Sequence, residues 1–144
     1  MTSAATALRS TGLTISAWIL ALALATTGAA AAQLAGSEWR PTEIRTIEVP
    51  AGAEIFVRFG DGGKLVGNGG CNRFVGTYKL IGDAIEFGRL GVTRKACPDP
   101  VMKSEGRFLR ALASARRFVR DRAKLSLADD VGNPVMRLIQ TDPD

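Results

Sequence analysis

The stretch GNGGCNRFVGTY, Gly67 to Tyr78, sets one cysteine among four glycines and follows it with Asn, Arg and Phe. Three readings compete for it: a catalytic loop, a metal loop, or the tight backbone of a small secreted β fold. Glycines ahead of Cys71 permit a tight turn or bulge and close backbone approach. Asn72 is suited to bonding nearby backbone groups. After it, Phe74, Gly76 and Tyr78 alternate, so they share one face of a strand. The third reading is therefore preferred, with the loop structural and ligand contact the alternative.

Outward from that stretch, short apolar runs recur with Gly, Pro, Asn and Asp between them, the spacing of an antiparallel β protein. Strands are predicted at 39–44, 55–59, 64–67, 73–80, 84–87, 117–120, 125–128 and 135–140. FGDGGK, IGDA and DDVGNP read as hairpin turns, because Gly and Asp tolerate the backbone that such turns require. One segment has a different period. Counted from Val101, the residues Phe108, Leu109 and Leu112 fall seven, eight and eleven positions on, which is one face of a helix. A helix is predicted over about 100–115, with Asp99 as N-cap and Pro100 in the first turn. Its opposite face carries Lys103, Arg107 and Arg110, with Arg116 and Arg117 just beyond. A solvated face explains these cations; docking to an anionic surface such as phospholipid, lipopolysaccharide or a polymer is the alternative.

Residues 1–32 have a different composition: Arg9, an apolar run from Leu13 to Ala25, then TTGAAAA. That order reads as a signal peptide cut after Ala32, leaving Gln33 to Asp144 as one domain in the periplasm or outside the cell. The alternative, an uncleaved anchor, needs about 20 strongly apolar residues, and the second half here is Ala, Thr and Gly. No cysteine lies near the cut to accept lipid, so no stable membrane span or anchor is expected after cleavage. All 14 acids and all but one of the 19 bases follow Ala32. The remaining excess of bases is too mild to argue for nucleic acid.

The chemistry is bounded by what is missing. The chain has no histidine, which excludes Ser-His-Asp and Cys-His catalysis and the usual base near neutral pH. Two cysteines without histidine do not make a common structural zinc site. The carboxylates Glu54, Asp61, Asp83, Glu86, Asp99 and Glu105 sit mostly at turns or at the helix start, where acids serve conformation. GDGGKLVGNGG lacks the spacing and the following helix of a nucleotide loop. No catalytic residue, metal or cofactor is therefore assigned. Cys71 and Cys97, the only pair, read as a disulfide in an exported chain, with two buried thiols as the alternative.

GNGGCNRFVGTYKL, then GVTRKACPDPVMKSEGRFLRAL, then KLSLADDVGNPVMRL, together with a Leu-x-Gly-x-x-Trp opening at Leu34 to Trp39, resemble the META domain family, which includes the HslJ heat-shock-associated proteins of bacteria. The resemblance covers residues 34–139. Its signature falls on Gly70, Cys71, Asn72, Arg73, Phe74, Gly76 and Tyr78, and on Thr93, Ala96, Cys97, Pro98, Met102 and Glu105. It implies an α+β domain over 33–144, a curved antiparallel sheet forming a half-open barrel with one packed α-helix. It also implies a non-enzymatic envelope protein linked to stress. Three roles follow as expectations: a structural or binding domain whose partner is an unidentified protein or envelope component; a carrier of a lipid or other apolar molecule on the concave sheet; and an adaptor presenting its Arg-rich helix to an acidic partner.

Overall fold

The computed structural model describes residues 34–141, together with Met1 and Thr2; the expected signal peptide lies almost wholly outside the described residues. Strand after strand alternates buried with exposed residues, which is the pattern of a sheet with one dry face. In β1 (Ser37–Ile44) the inward positions are Ser37, Trp39, Pro41 and Ile44. In β3 (Ile55–Phe59) they are Ile55, Val57 and Phe59. The short β2 (Ile47–Glu48) adds only an edge to β1.

The chain continues through β4 (Lys64–Gly69), β5 (Arg73–Ile81), β6 (Ala84–Phe87) and the short β7 (Gly91–Val92). Helix α1 (Asp99–Ser114) follows, then β8 (Arg117–Asp121), β9 (Lys124–Ala128) and β10 (Pro134–Gln140). The neighbours run β10-β9-β8-β6-β5-β4-β3-β1, and β10 pairs back onto β1, with Trp39 opposite Gln140 and Ile44 opposite Met136. Eight antiparallel strands thus close a barrel. The half-open barrel expected from the family resemblance is corrected by this pairing: closure satisfies both sheet edges at once. The thinnest seam is β6 against β8. It has one register pair, Ala84 opposite Arg117, flanked by bonds from Ile85 N to Arg116 O and from Phe118 N to Asp83 O.

The predicted turns form as their residues require. Gly82 takes φ 61° between β5 and β6, and Gly62 and Gly63 take φ 65° and 76° before β4. Between β9 and β10 the Asp129 carboxylate accepts from Val131 N and Asn133 N, and Gly132 sits at φ 94°. These bonds, with Asn133 Nδ2 leading, hold the Asp129 carboxyl below its ordinary value.

Inside, Trp39, Phe59, Leu65, Phe74, Ile85, Leu125, Leu127 and Leu138 form one continuous core. Helix α1 covers one barrel end and adds Phe108, Ala111, Leu112 and Ala115 to that core. It contacts β4, β1 and β10. Two helix details differ from expectation. Pro98 occupies the cap position and Asp99 lies in the first turn without capping by its side chain. The buried face is Glu105, Phe108, Ala111 and Leu112, while Val101 and Leu109 are only partly covered. The interior is filled by side chains, so the concave sheet on which the carrier role depended is the packed core of the barrel.

Candidate functional site

Glycine chemistry brings the helix down onto the sheet. At Gly69 an added Cβ would lie 2.6 Å from Glu105 Cγ, and at Gly67 it would collide with the Phe74 ring and Phe56 O. Bare backbone at these two positions lets β4 pass beneath Phe74 and beside α1. Gly70 then turns the chain at φ 113°, its N–H donating to Asn68 Oδ1 at 2.7 Å.

The turn aims its N–H groups at one carboxylate. Glu105 is 4% exposed. Its Oε2 accepts from Cys71 N at 3.0 Å and Asn72 N at 2.6 Å, and its Oε1 accepts from Asn72 Nδ2 at 2.8 Å. Asn72, itself 3% exposed, passes the connection outward. Its Oδ1 accepts from Lys95 N at 2.7 Å and Thr93 Oγ1 at 2.9 Å, and its Nδ2 also reaches Lys95 O at 3.3 Å. Thr93 is tied in turn to Arg73 through backbone and hydroxyl. Cys71 and Cys97 are bonded, with Cα atoms 6.1 Å apart. Buried charge is costly unless hydrogen bonds replace water, and here three N–H donors do so.

The two signature segments therefore meet at one place. Gly70, Cys71, Asn72, Thr93, Cys97 and Glu105 make a clamp between the β4–β5 turn, the loop before α1, and α1 itself. Pro98 O receives the first helical N–H groups, from Val101 and Met102. Phe74 packs on Phe108 with ring centroids 5.8 Å apart. Gly76 sits beneath Leu90, where a Cβ would lie 2.6 Å from Leu90 Cδ2. Tyr78 is farther along β5, at the other barrel end, where its hydroxyl donates to Gly60 O at 3.0 Å and its ring meets Phe59 edge-on. Burial pushes the Tyr78 phenol up from its ordinary value of 10.0, and the Asp61 charge adds to the shift. Arg73, Ala96 and Met102 are exposed.

This arrangement is suited to holding, not to proton transfer. Glu105 has spent its oxygens on N–H donors, and an open groove of about 500 Å³ above it is walled by Leu90, Val92, Arg94 and Met102. Among the described residues no group of three or more His, Cys, Asp and Glu is placed to hold a metal ion. Sequence reasoning placed Glu105 in the signature but gave it no role; the signal was an acid three residues before Phe108 on the apolar side of the helix. The basic group divides. Lys103, Arg107 and Arg110 share the helix face opposite the core, whereas Arg117 belongs to β8 and pairs with Asp83 at 3.0 Å.

The META domain profile matches residues 32–142. An NMR structure of a protein from Burkholderia xenovorans is 28% identical with a TM-score of 0.66, covering 90% of this chain and 100% of that one. A second NMR structure is 20% identical, with a TM-score of 0.61 over 76% of this chain and 93% of the other. The crystal structure of a DUF4847 family protein from Bacteroides vulgatus is 14% identical, with a TM-score of 0.58 over 80% and 99%. The last two show likeness of fold alone. A search of curated proteins returns no match. With the profile spanning both halves of the clamp and every barrel strand, the chain belongs to the META domain family.

Proposed function

We infer that the protein is an exported META domain that serves the bacterial envelope by binding or bracing another component, without catalysis, in the stress setting that the family resemblance implies. The observation that carries this reading is the Cys71–Cys97 bond. Structural disulfides persist in oxidising compartments and are rare in the cytosol. Residues 1–32, read as a signal peptide, supply the route. The clamp supports the bracing reading, since its polar groups are satisfied internally and stiffen one end of the barrel. Among the described residues, no helix is long and apolar enough to cross a membrane.

The test is an intact mass of the protein recovered from its own cells, with and without alkylation under non-reducing conditions. The expected species is Gln33 to Asp144, lighter by two hydrogens and inert to alkylation. A full-length chain carrying two alkylated thiols would reject the exported reading.

A further inference from the structure

Opposite the buried face of α1 runs a line of cations. Lys103, Arg107 and Arg110 stand at i, i+4 and i+7, within one narrow sector of the helix. Two more arrive from outside it. Arg45, at the end of β1, donates from Nη2 to Ser114 Oγ at 2.8 Å. Arg116 donates from Nη1 to Ala113 O at 2.8 Å and Ala115 O at 2.7 Å, which ties its charge to the helix C-terminus. From Lys103 to Ser114 the line spans roughly 16 Å at about 1.5 Å per residue.

The acids are elsewhere. Ion pairs join Arg58 to Glu38, Arg117 to Asp83 and Arg137 to Glu43, on the barrel strands and, for Asp83, in the β5–β6 turn. Only Asp99, in the first turn, shares the line's side of the helix. The line also lacks the centre of a protein interface, which is usually a buried aromatic or aliphatic anchor in a pocket. No exposed large apolar residue of the described chain is aromatic, and on α1 the single one is Met102, 38% exposed. Gly106 leaves the Arg110 guanidinium lying along the helix, its Nη1 3.0 Å from where a Cβ would stand. A row of cations exposed at Lys103 and Arg110 and half-buried at Arg107, with no socket, suits a fluid array of anions, which needs charge and no shape.

We propose that this face of α1 docks the protein on an anionic phospholipid surface, through Lys103, Arg107 and Arg110 with Arg45 and Arg116 extending the row. The proposal rests on the exported reading only for where such lipid is met. Vesicle binding and the mass measurement therefore fail independently.

The experiment is co-sedimentation of the purified exported protein with vesicles of phosphatidylglycerol mixed with phosphatidylcholine, and with phosphatidylcholine alone. Binding is expected to the first only, and to weaken with added salt. Each cation near such a surface is worth about fivefold in affinity. Lys103→Glu/Arg107→Glu/Arg110→Glu should abolish binding, while Lys64→Glu/Lys79→Glu/Lys124→Glu, equal in net charge and exposed on the barrel wall, should retain most of it. If the helix triple fails to fold, Lys103→Gln/Arg110→Gln should still lose about 25-fold. Equal loss in the wall triple would reduce the effect to net charge and overturn the proposal. So would displacement by inorganic phosphate beyond that by chloride at matched ionic strength, which would mark a free-phosphate site. Binding to polyglutamate but not to anionic vesicles would assign the face to an acidic protein instead.

Discussion

Glu105 is the residue on which the clamp turns. In a glutamine the same position offers one acceptor oxygen and one N–H₂, and the amide nitrogen would face either the Cys71 and Asn72 N–H groups or Asn72 Nδ2. Asn72 has no free way to adapt, because its Oδ1 is already held by Lys95 N and Thr93 Oγ1. Glu105→Gln is therefore expected to cost about 2–3 kcal/mol, the range for losing charge-assisted bonds and stranding a buried donor. Urea denaturation under non-reducing conditions checks this, with a lowered midpoint and an unchanged slope; a shift under about 0.5 kcal/mol would show that the clamp is not held by the charge. Asn72, Gly70 and the cysteines were legible as a tight structural turn from the stretch itself. The partner of that turn was not, because Glu105 lies 33 positions from Asn72, and local spacing contains nothing about a contact so distant.

At the scale of elements, local pattern was most informative where one face is dry. All eight barrel strands coincide with the alternating runs, since period two follows directly from the pleat. Helix α1 was legible from the spacing of Phe108 and Leu112, with its boundary one residue early and its buried face turned away from Leu109 toward Ala111. The shift has a physical reason: Ala111 and Ala115 are fully buried where the helix lies close to the barrel, and alanines carry too little hydropathy to mark a face, while the buried carboxylate of Glu105 hides a core position altogether. The helix also contains a glycine on its solvent side. At Gly106 the nearest obstacle to a Cβ is the flexible end of Arg110, so Gly106→Ala should raise stability by about 1 kcal/mol through helix propensity. Thermal unfolding measures this directly. A lowered melting temperature would mean that the Arg110 guanidinium cannot move aside.

At the scale of the molecule, two independent ties hold the helix end to the barrel: the Cys71–Cys97 bond and the Glu105 hydrogen bonds. Closing a loop with a sequence separation of 26 stabilises the fold by about 3.5 kcal/mol on the chain-entropy account. Cys71→Ala/Cys97→Ala should lose about that much and still fold as a barrel, because Glu105 and the Phe74–Phe108 contact remain. Far-UV circular dichroism with thermal melting tests it, and loss of the folded signal at room temperature would show that the disulfide alone carries this end. The sequence by itself determined the positions of the eight barrel strands and the helix, though not of the two-residue β2 and β7, and with them the turns, the exclusion of histidine chemistry and the family, since each depends on neighbours along the chain or on composition. Only the tertiary structure decided that the sheet closes, that the carboxylate of Glu105 is buried against the cysteine turn, and that Arg45 joins the helix cations while Arg117 leaves them. Those outcomes depend on strand shear and on contacts across most of the chain. The pairing of β10 with β1 is one such contact, and no local period encodes it.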